Sequence, residues 1–278
     1  MIGYVIWDID PRIFPGFEYL RWYGLFWAIG MLLGYQVMLK IFKYEKLSQT
    51  DLDQLTAYVV LGAIIGARFG HVLFYEPIYY LNNPIEILPI RIEPKFEFTG
   101  FAGLASHGGV LGALVALFLY CRKFQKDIFW NLDRLTIAAS LMGGFIRLGN
   151  LMNSEIIGMS AQAPWAFVFL KVDQVPRHPA QLYEALCYFA IFIILFILWK
   201  SGRHRNHKGF LFGLGLLLVF IQRFLMEFLK ENQVAFEENL TLNMGQVLSI
   251  PLIVIGMMVI VWSQKRFTDK KQSIKTLH

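Results

Sequence analysis

The sequence predicts an all-α polytopic membrane protein with about seven transmembrane helices. Hydrophobic residues make up 56% of its 278 residues, charged residues only 17%, and the mean hydropathy is +0.49. Soluble domains carry about 25% charged residues, whereas each membrane span needs about 20 mostly apolar residues. Seven such stretches occur, near 20–41, 53–75, 103–121, 133–152, 181–199, 209–229 and 244–264.

The basic residues predict the orientation of these spans, because loops rich in Lys and Arg stay in the cytoplasm. Fifteen of the 26 Lys and Arg fall in connections on one side, and seven fall on the other. The richest connection is the C-terminal segment 265–278, which we expect to be a solvated cytoplasmic tail. This bias predicts an N-terminus outside and a C-terminus in the cytoplasm. The net charge of +6 then indicates contact with the lipid bilayer and not with nucleic acid.

Two longer segments on the outer side, 76–102 and 153–180, could form small caps. Residues 86–98 alternate apolar and polar side chains, which suits a short strand or an extended arm. No repeat or low-complexity stretch divides the sequence, so 1–278 is predicted to be a single integral membrane domain. Its two cysteines are expected at opposite depths, which predicts free thiols.

Polar residues within the spans are the strongest functional signal, since a charge in hydrocarbon is costly unless it is partnered or hydrated. The end of the fourth span reads I-R-L-G-N-L-M-N-S-E-I-I-G over residues 146–158. Its chemically active members are Arg147, Asn150, Asn153 and Glu155. Because a helix rises about 1.5 Å per residue, depths can be compared between spans. Polar groups of other spans reach the same outer layer, namely Tyr23, Arg68, His71, His107, Gln181, Tyr183, Glu184, Arg223 and Glu227.

Each of these groups also has a structural alternative. The end of the fourth span could be a polar seam between helices. Arg223 and Glu227 are spaced i, i+4 and could neutralise each other. His107 precedes two glycines that let a ligand approach, yet it could be hydrogen-bonded within the bundle. Glu155 could be a base, a partner for an arginine or a helix cap.

The residue types in this layer indicate an anionic phospholipid as the ligand. Arginine matches phosphate geometry with paired donors, and cationic donors stabilise the charge that develops when a phosphate leaves carbon. Imidazole can take up a proton near neutral pH, which makes His107 a candidate base. The residues therefore predict a lipid-headgroup transferase or hydrolase and leave the acceptor open.

Two other classes are alternatives at this point. An intramembrane serine protease needs a nucleophile and a base that face each other, whereas Ser106 and His107 are adjacent in sequence. A transporter uses polar residues at the bilayer midplane and often a repeated half. The polar layer here is nearer the outer side, and no repeat is visible.

Six motifs occur in order along residues 21–232. They are R-W-Y-G from residue 21, G-A-R-F-G-H-V-L-F-Y from 66, S-H-G-G-V-L-G from 106, R-L-G-N-L-M-N-S-E-I-I-G from 147, R-H-P-A-Q-L-Y-E from 177 and R-F-L-M-E-F from 223. Together they resemble the motifs of bacterial prolipoprotein diacylglyceryl transferases. The sequence departs from that pattern at Ile146 and Leu151 without changing the polar positions of the signature, and Val219 stands where many members carry a tyrosine. Lys230 stands where an arginine is common, which preserves charge without the planar fork.

The resemblance implies transfer of the sn-1,2-diacylglyceryl group from phosphatidylglycerol to the lipobox cysteine thiol of prolipoproteins. That reaction forms a thioether, releases glycerol 1-phosphate and is the first step of lipoprotein maturation. It implies a multi-pass enzyme of the bacterial inner membrane, with periplasmic caps, an active site towards the outer leaflet, and neither cofactor nor metal. The implied phosphatidylglycerol-binding residues are Tyr23, Arg68, Arg147, Asn150, Asn153, Gly158 and Arg223.

The resemblance also assigns catalytic roles to His107, Arg147, Glu155, Arg223 and Glu227. The two arginines would hold the phosphate, and the two glutamates would orient the arginines or partner the incoming thiol. His107 would deprotonate the thiol, because the thiolate is the nucleophile. Asp133, which lies deeper, would support its helix.

Overall fold

Long α-helices occupy all seven predicted places in the computed structural model, which describes residues 3–14, 16, 20–88, 90–91, 96–98, 103–202, 207–231 and 241–275. The helices are α1 (Trp22–Tyr44), α2 (Gln49–Phe74), the short α3 (Pro77–Asn82), α4 (Ser106–Lys123), α5 (Ile128–Met152), α6 (Ala180–Lys200), α7 (Phe210–Met226) and α8 (Met244–Lys275). Short 3-10 helices span Pro84–Ile87 and Glu227–Leu229. The strands are β1 (Val5–Trp7), β2 (Ile90–Arg91), β3 (Glu97–Phe98), β4 (Phe167–Phe169) and β5 (Pro176–Arg177).

Six helices in the described part of the chain are long and apolar enough to cross a membrane: α1, α2, α5, α6, α7 with its 3-10 extension, and α8. The remaining long helix, α4, has 18 residues that include a histidine and two basic residues. The prediction of an all-α polytopic membrane protein is therefore confirmed. The count of seven spans and the direction of the termini stay predictions.

The C-terminal helix is longer than the sequence pattern predicted. We expected the last span to end near 264 and a solvated tail to follow, whereas α8 continues to Lys275. Residues 265–275 contain neither Gly nor Pro, and most of them are adequate helix formers, so nothing in this stretch ends the helix. The last three residues of the predicted tail, 276–278, lie outside the described residues.

The chain divides into two compact units, which are described separately. The first unit comprises Met1–Met38 with Phe129–His278, and the second comprises Leu39–Ile128. This division leaves the prediction of a single integral domain untested. Cys121 and Cys187 are both free, as predicted.

In the first unit, a small three-stranded sheet covers the end of α5. Strand β1 runs parallel to β4, and β4 pairs antiparallel with β5. The buried Phe167 and Phe169 pack with Leu151, and the Trp7 indole N–H donates to the Leu151 carbonyl at 3.0 Å. The segment 153–180 therefore forms a folded cap, as the sequence predicted.

Asp133 on α5 fixes the start of α7 within the same unit. Its carboxylate accepts hydrogen bonds from the backbone N–H groups of Gly209 and Phe212, both at 2.8 Å. The first N–H groups of a helix have no partner inside the helix, and a negative charge is stabilised there. Asp133 therefore supports the start of α7, whereas the sequence predicted that it supports its own helix.

In the second unit, α2 and α4 cross at very close range. Gly62, Gly66 and Gly70 on α2 face Gly108 and Gly112 on α4, and a methyl group at Gly66 would overlap the Gly108 carbonyl oxygen. Small residues spaced by four let two helix backbones approach, which favours packing inside a membrane. The glycines of this unit therefore have a packing function in addition to any role in ligand access.

The second unit also contains the other predicted cap. Strands β2 and β3 pair antiparallel with Ile90 opposite Phe98, which confirms the short strand predicted within 86–98. Residues 89 and 92–95 of that stretch, and 99–102 of the predicted cap, lie outside the described residues.

We predict that Gly66→Ala lowers the thermal unfolding temperature of the purified protein in detergent. The added methyl must push α2 and α4 apart, and overpacking typically costs about 1–3 kcal/mol. The matched control is Gly34→Ala, whose methyl would meet Ala138 at 3.8 Å, an ordinary contact. Because Ala favours a helix over Gly by about 1 kcal/mol, the control should be at least as stable as wild type. Equal unfolding temperatures for Gly66→Ala and wild type would contradict the close crossing.

Candidate functional site

The loop that follows α5 folds back onto the end of that helix. Backbone N–H groups at 153–155 donate to the last carbonyl groups of the helix, at 3.0 to 3.1 Å. Ser154 and Ile156 have φ values of +55° and +56°, in the left-handed region. For a β-branched residue this is a strained backbone that costs about 1–3 kcal/mol and persists only where neighbours hold it.

Two contacts hold this strained loop in place. The Gln181 side-chain amide on α6 donates to the Glu155 carbonyl at 2.5 Å. The Gly158 N–H donates to the His178 carbonyl at 3.1 Å. A methyl at Gly158 would lie 2.7 Å from the His178 Cβ and 2.9 Å from the Leu229 carbonyl oxygen. Only glycine fits such an approach of three backbones, so Gly158 shapes the loop by its size.

The carboxylate of Glu155 is exposed and held by two amides. It accepts hydrogen bonds from Asn150 Nδ2 at 3.1 Å and from Asn153 Nδ2 at 3.0 Å. Tyr23 on α1 interacts electrostatically with Glu155 and Arg147. The structure therefore brings Tyr23 together with four residues predicted from the signature, namely Arg147, Asn150, Asn153 and Glu155.

Arg147 is paired with a carboxylate on another helix. Its Nε lies 3.0 Å from Oε2 of Glu184 on α6, and the two side chains are 16% and 1% exposed. The contact is an ion pair without hydrogen-bond alignment at Oε2. A second donor, Nη1, reaches Asn150 Oδ1 at 3.4 Å. The carboxylate that contacts Arg147 is thus Glu184, whereas Glu155 contacts amides.

Glu184 contacts a second cation through its other oxygen. Its Oε1 lies 2.8 Å from Lys230 Nζ, and the same ammonium donates to Glu227 Oε1 at 3.0 Å. Lys230 is only 4% exposed. Glu227 Oε2 in turn accepts a hydrogen bond from Asn243 Nδ2 at 3.2 Å. Lys230 therefore connects two carboxylates at the end of α7.

Arg223 lies at the far end of this connection. Its Nε is 4.0 Å from Glu227 Oε1 and, within the described part of the chain, has no hydrogen-bond partner. The side chain is 41% exposed. The predicted alternative was that Arg223 and Glu227 neutralise each other. Their contact is long, because the Glu227 carboxylate already accepts hydrogen bonds from Lys230 and Asn243.

Five side chains of alternating charge thus form a continuous series, which we call the charge network. In order it comprises Arg147, Glu184, Lys230, Glu227 and Arg223. Glu184 was predicted to lie in the polar layer, and neither Glu184 nor Lys230 was predicted to have a role in the site. The spacing of Lys230 three residues after Glu227, and the depth of Glu184 beside Arg147, were the available signals.

Two predicted site residues, Arg68 and His107, belong to the second unit. Arg68 donates to the carbonyls of Ile87 at 2.8 Å and Glu86 at 2.5 Å, and further to Gly103 at 3.2 Å. These bonds give Arg68 a role in holding the cap backbone, and its contact with a lipid stays a prediction.

His107 is exposed on the first turn of α4. Its ring lies 6.0 Å from the Tyr75 ring and 5.8 Å from the Phe74 ring, centroid to centroid. Among the described residues it makes no hydrogen bond, so the predicted alternative of a hydrogen-bonded bundle histidine gains no support from the described contacts. No group of three His, Cys, Asp or Glu side chains that could hold a metal occurs among the described residues.

Arg177 joins the cap to the segment after α7. It donates to Asp173 through Nε at 3.1 Å and Nη2 at 2.5 Å, forms an ion pair with Glu231 and reaches the Gly158 carbonyl at 3.3 Å. These hydrogen bonds from Arg177 hold the pKa of the Asp173 carboxyl below its usual value. The loop that carries Glu155 is therefore braced from the cap side as well.

Comparison with known proteins gives one consistent result. A family model described as prolipoprotein diacylglyceryl transferase matches residues 12–262. A protein of Bacteroides fragilis named phosphatidylglycerol-prolipoprotein diacylglyceryl transferase is 47% identical over 97% of each chain. Proteins of the same name from Chloroherpeton thalassium and Porphyromonas gingivalis are 44% and 40% identical, over at least 98% of each chain.

We predict that Asp173→Asn lowers thermal stability at neutral pH and has less effect as the medium is acidified. Because the folded state depresses the pKa, the stabilisation is present above the unfolded value of about 3.9 and is lost as the pH falls through the folded value. Thermal unfolding of wild type and variant in detergent, from about pH 7 to about pH 3, measures this. A difference that widens on acidification would count against the pairing with Arg177.

Proposed function

Because the chain belongs to the prolipoprotein diacylglyceryl transferase family, we propose that it transfers the diacylglyceryl group of phosphatidylglycerol to the cysteine thiol of a prolipoprotein. The structural observation that supports this reaction is a charge network ending in two arginines, beside the braced loop of Glu155. Arginine is the side chain best suited to hold a phosphate. An anionic lipid headgroup is therefore the ligand that this site fits.

The chemistry that the site must support is a displacement at carbon. The thiolate sulfur attacks the glyceryl carbon that carries the phosphate, the carbon–oxygen bond breaks, and glycerol 1-phosphate leaves with the bonding electrons. The thiol proton passes to a base, and the product is a thioether. Cationic donors that meet the leaving phosphate lower the barrier because its charge grows as the bond breaks.

The two arginines have complementary positions in this proposal. Arg147 is largely buried and fixed by Glu184, so it offers a preorganised charge. Arg223 is 41% exposed and its contact with Glu227 is long, so its guanidinium can turn towards a ligand. A preorganised donor and an accessible donor together can bind a phosphate and then release it.

The amides and Glu155 form the wall beside the arginines. Asn150 touches both Arg147 and Glu155, so it connects the phosphate position to the exposed carboxylate. Since Glu184 already pairs with Arg147, we assign Glu155 to the incoming thiol or its peptide and not to the arginine. Tyr23 is assigned to the lipid or the peptide, and Gly158 to the shape of the loop.

The proposed base for the thiol is His107. Its imidazole is exposed and makes no hydrogen bond within the described part of the chain, so it can accept a proton.

The same proposal locates the protein in the bacterial inner membrane, with the site towards the outer leaflet and the acceptor cysteine in a lipobox. The bias of basic residues and the outer depth of the polar layer support this arrangement.

The central test uses vesicles that contain phosphatidylglycerol, a lipobox peptide and purified enzyme, with the thioether product measured by mass spectrometry. We expect Arg147→Ala to lose activity by about 100-fold or more, because deleting one donor to a developing charge typically costs about 100- to 1,000-fold. Arg147→Lys keeps the charge without the planar fork and should retain the fold with reduced activity. Full activity of Arg147→Ala in a folded preparation would overturn the assignment of the site.

A second prediction concerns the base. His107→Gln should lose about 100- to 10,000-fold at neutral pH and should recover part of the rate as the pH approaches the thiol pKa of about 8.5, where thiolate forms unaided. The neighbouring Ser106→Ala is the matched control and should stay within about twofold of wild type. A loss in His107→Gln that is equal at every pH would exclude the role as base, and inactivity of Ser106→Ala would favour the protease alternative.

A further inference from the structure

We propose that Glu184 and Lys230 are positioning residues for the two phosphate-binding arginines, a role that rests on the proposed function. Neither side chain reaches the reacting atoms in this proposal. Together they set the direction of Arg147 and the distance of Glu227 from Arg223. The inference extends the site from the motif on α5 to a network that three separate segments of the first unit share.

The two carboxylate oxygens of Glu184 face two different cations. Oε2 faces Arg147 Nε at 3.0 Å, and Oε1 faces Lys230 Nζ at 2.8 Å. With the carboxylate only 1% exposed, removing either cation would leave a poorly compensated buried charge. One rigid, planar group therefore fixes a cation on α5 relative to a cation beyond α7.

Glu184 contacts Arg147 at the base of the guanidinium, because the ion pair is made at Nε. Nη1 reaches Asn150 Oδ1 at 3.4 Å, and Tyr188 on α6 also interacts with the Arg147 side chain. A planar fork held at its base is the preorganised arrangement that binds phosphate with the smallest loss of side-chain freedom.

Lys230 bridges two carboxylates. Its ammonium contacts Glu184 at 2.8 Å and Glu227 at 3.0 Å, and these contacts use two of its three donors. The side chain is only 4% exposed. By occupying Glu227, Lys230 prevents that carboxylate from pairing closely with Arg223, whose Nε stays 4.0 Å away. Lys230 thus keeps Arg223 available to an anion.

The net charge of the charge network suits an anionic ligand. Three cations and two carboxylates leave the charge network with one positive charge, which a phosphodiester monoanion would neutralise. Glu155 is not a member, because Asn150 separates its carboxylate from Arg147. A network with this imbalance favours an anionic lipid headgroup over a zwitterionic one.

The test is steady-state kinetics in vesicles in which the mole fraction of phosphatidylglycerol is varied in phosphatidylcholine, with the lipobox peptide varied separately. We expect Glu184→Gln and Lys230→Met each to raise KM for phosphatidylglycerol at least tenfold, while KM for the peptide stays within twofold. Lys230→Arg, which keeps the charge, should restore KM for phosphatidylglycerol to within about threefold. The double variant should lose less than the product of the two single losses, because each single variant already breaks the shared contact between Glu184 and Lys230.

The matched control is Glu231→Gln, which changes the same functional group one residue after Lys230. Glu231 contacts Arg177 and is outside the charge network, so both KM values should stay within twofold of wild type. Should Glu184→Gln fail to fold, Lys230→Met tests the same network from its other side.

A purely structural role would give a different result. Unchanged KM for phosphatidylglycerol, with a rate that falls only in proportion to the folded fraction, would overturn the positioning role. Absence of thioether product with the wild-type enzyme would instead refute the proposed function, so the two failures are distinguishable.

Discussion

A charge buried inside an apolar helix bundle has to be paired, and in this protein the Glu184 carboxylate pairs with two cations. The carboxylate is almost fully buried and contacts Arg147 on one side and Lys230 on the other. Removing one partner of such a pair typically costs about 3–5 kcal/mol, because the other charge stays buried. The relative placement of α5, α6 and the segment after α7 therefore depends on this carboxylate, and the orientation of the proposed phosphate site depends on that placement.

The same constraint organises the polar groups outside the proposed site. Asp133 accepts two backbone N–H groups at the start of α7, and Arg68 donates to carbonyls of the cap in the second unit. Arg177 joins the cap, the loop after α5 and Glu231. In each case a charged side chain is satisfied by a segment distant in sequence. Charged side chains are costly in apolar surroundings. Here they connect elements that hydrophobic packing alone does not orient.

The backbone is equally constrained where the site is built. Ile156 keeps a left-handed conformation because hydrogen bonds from Gln181 and to His178 hold the loop on both sides. Gly158 permits the closest approach, since a side chain there would overlap neighbouring backbone. Strain of this kind places the Glu155 carboxylate beside Asn150 and leaves it exposed. A loop with relaxed dihedral angles would not present the same group in the same direction.

The sequence by itself determined the seven helical segments and the motif residues within them, because hydrophobic periodicity and misplaced charge are local signals. It did not determine which carboxylate meets Arg147: Glu155 was the near candidate in sequence, and Glu184 on another helix is the partner. It also could not show the pairing of β1 with β4. Partners of this kind are selected by how distant segments pack together, and a buried charge is satisfied by whichever opposite charge that packing brings within reach.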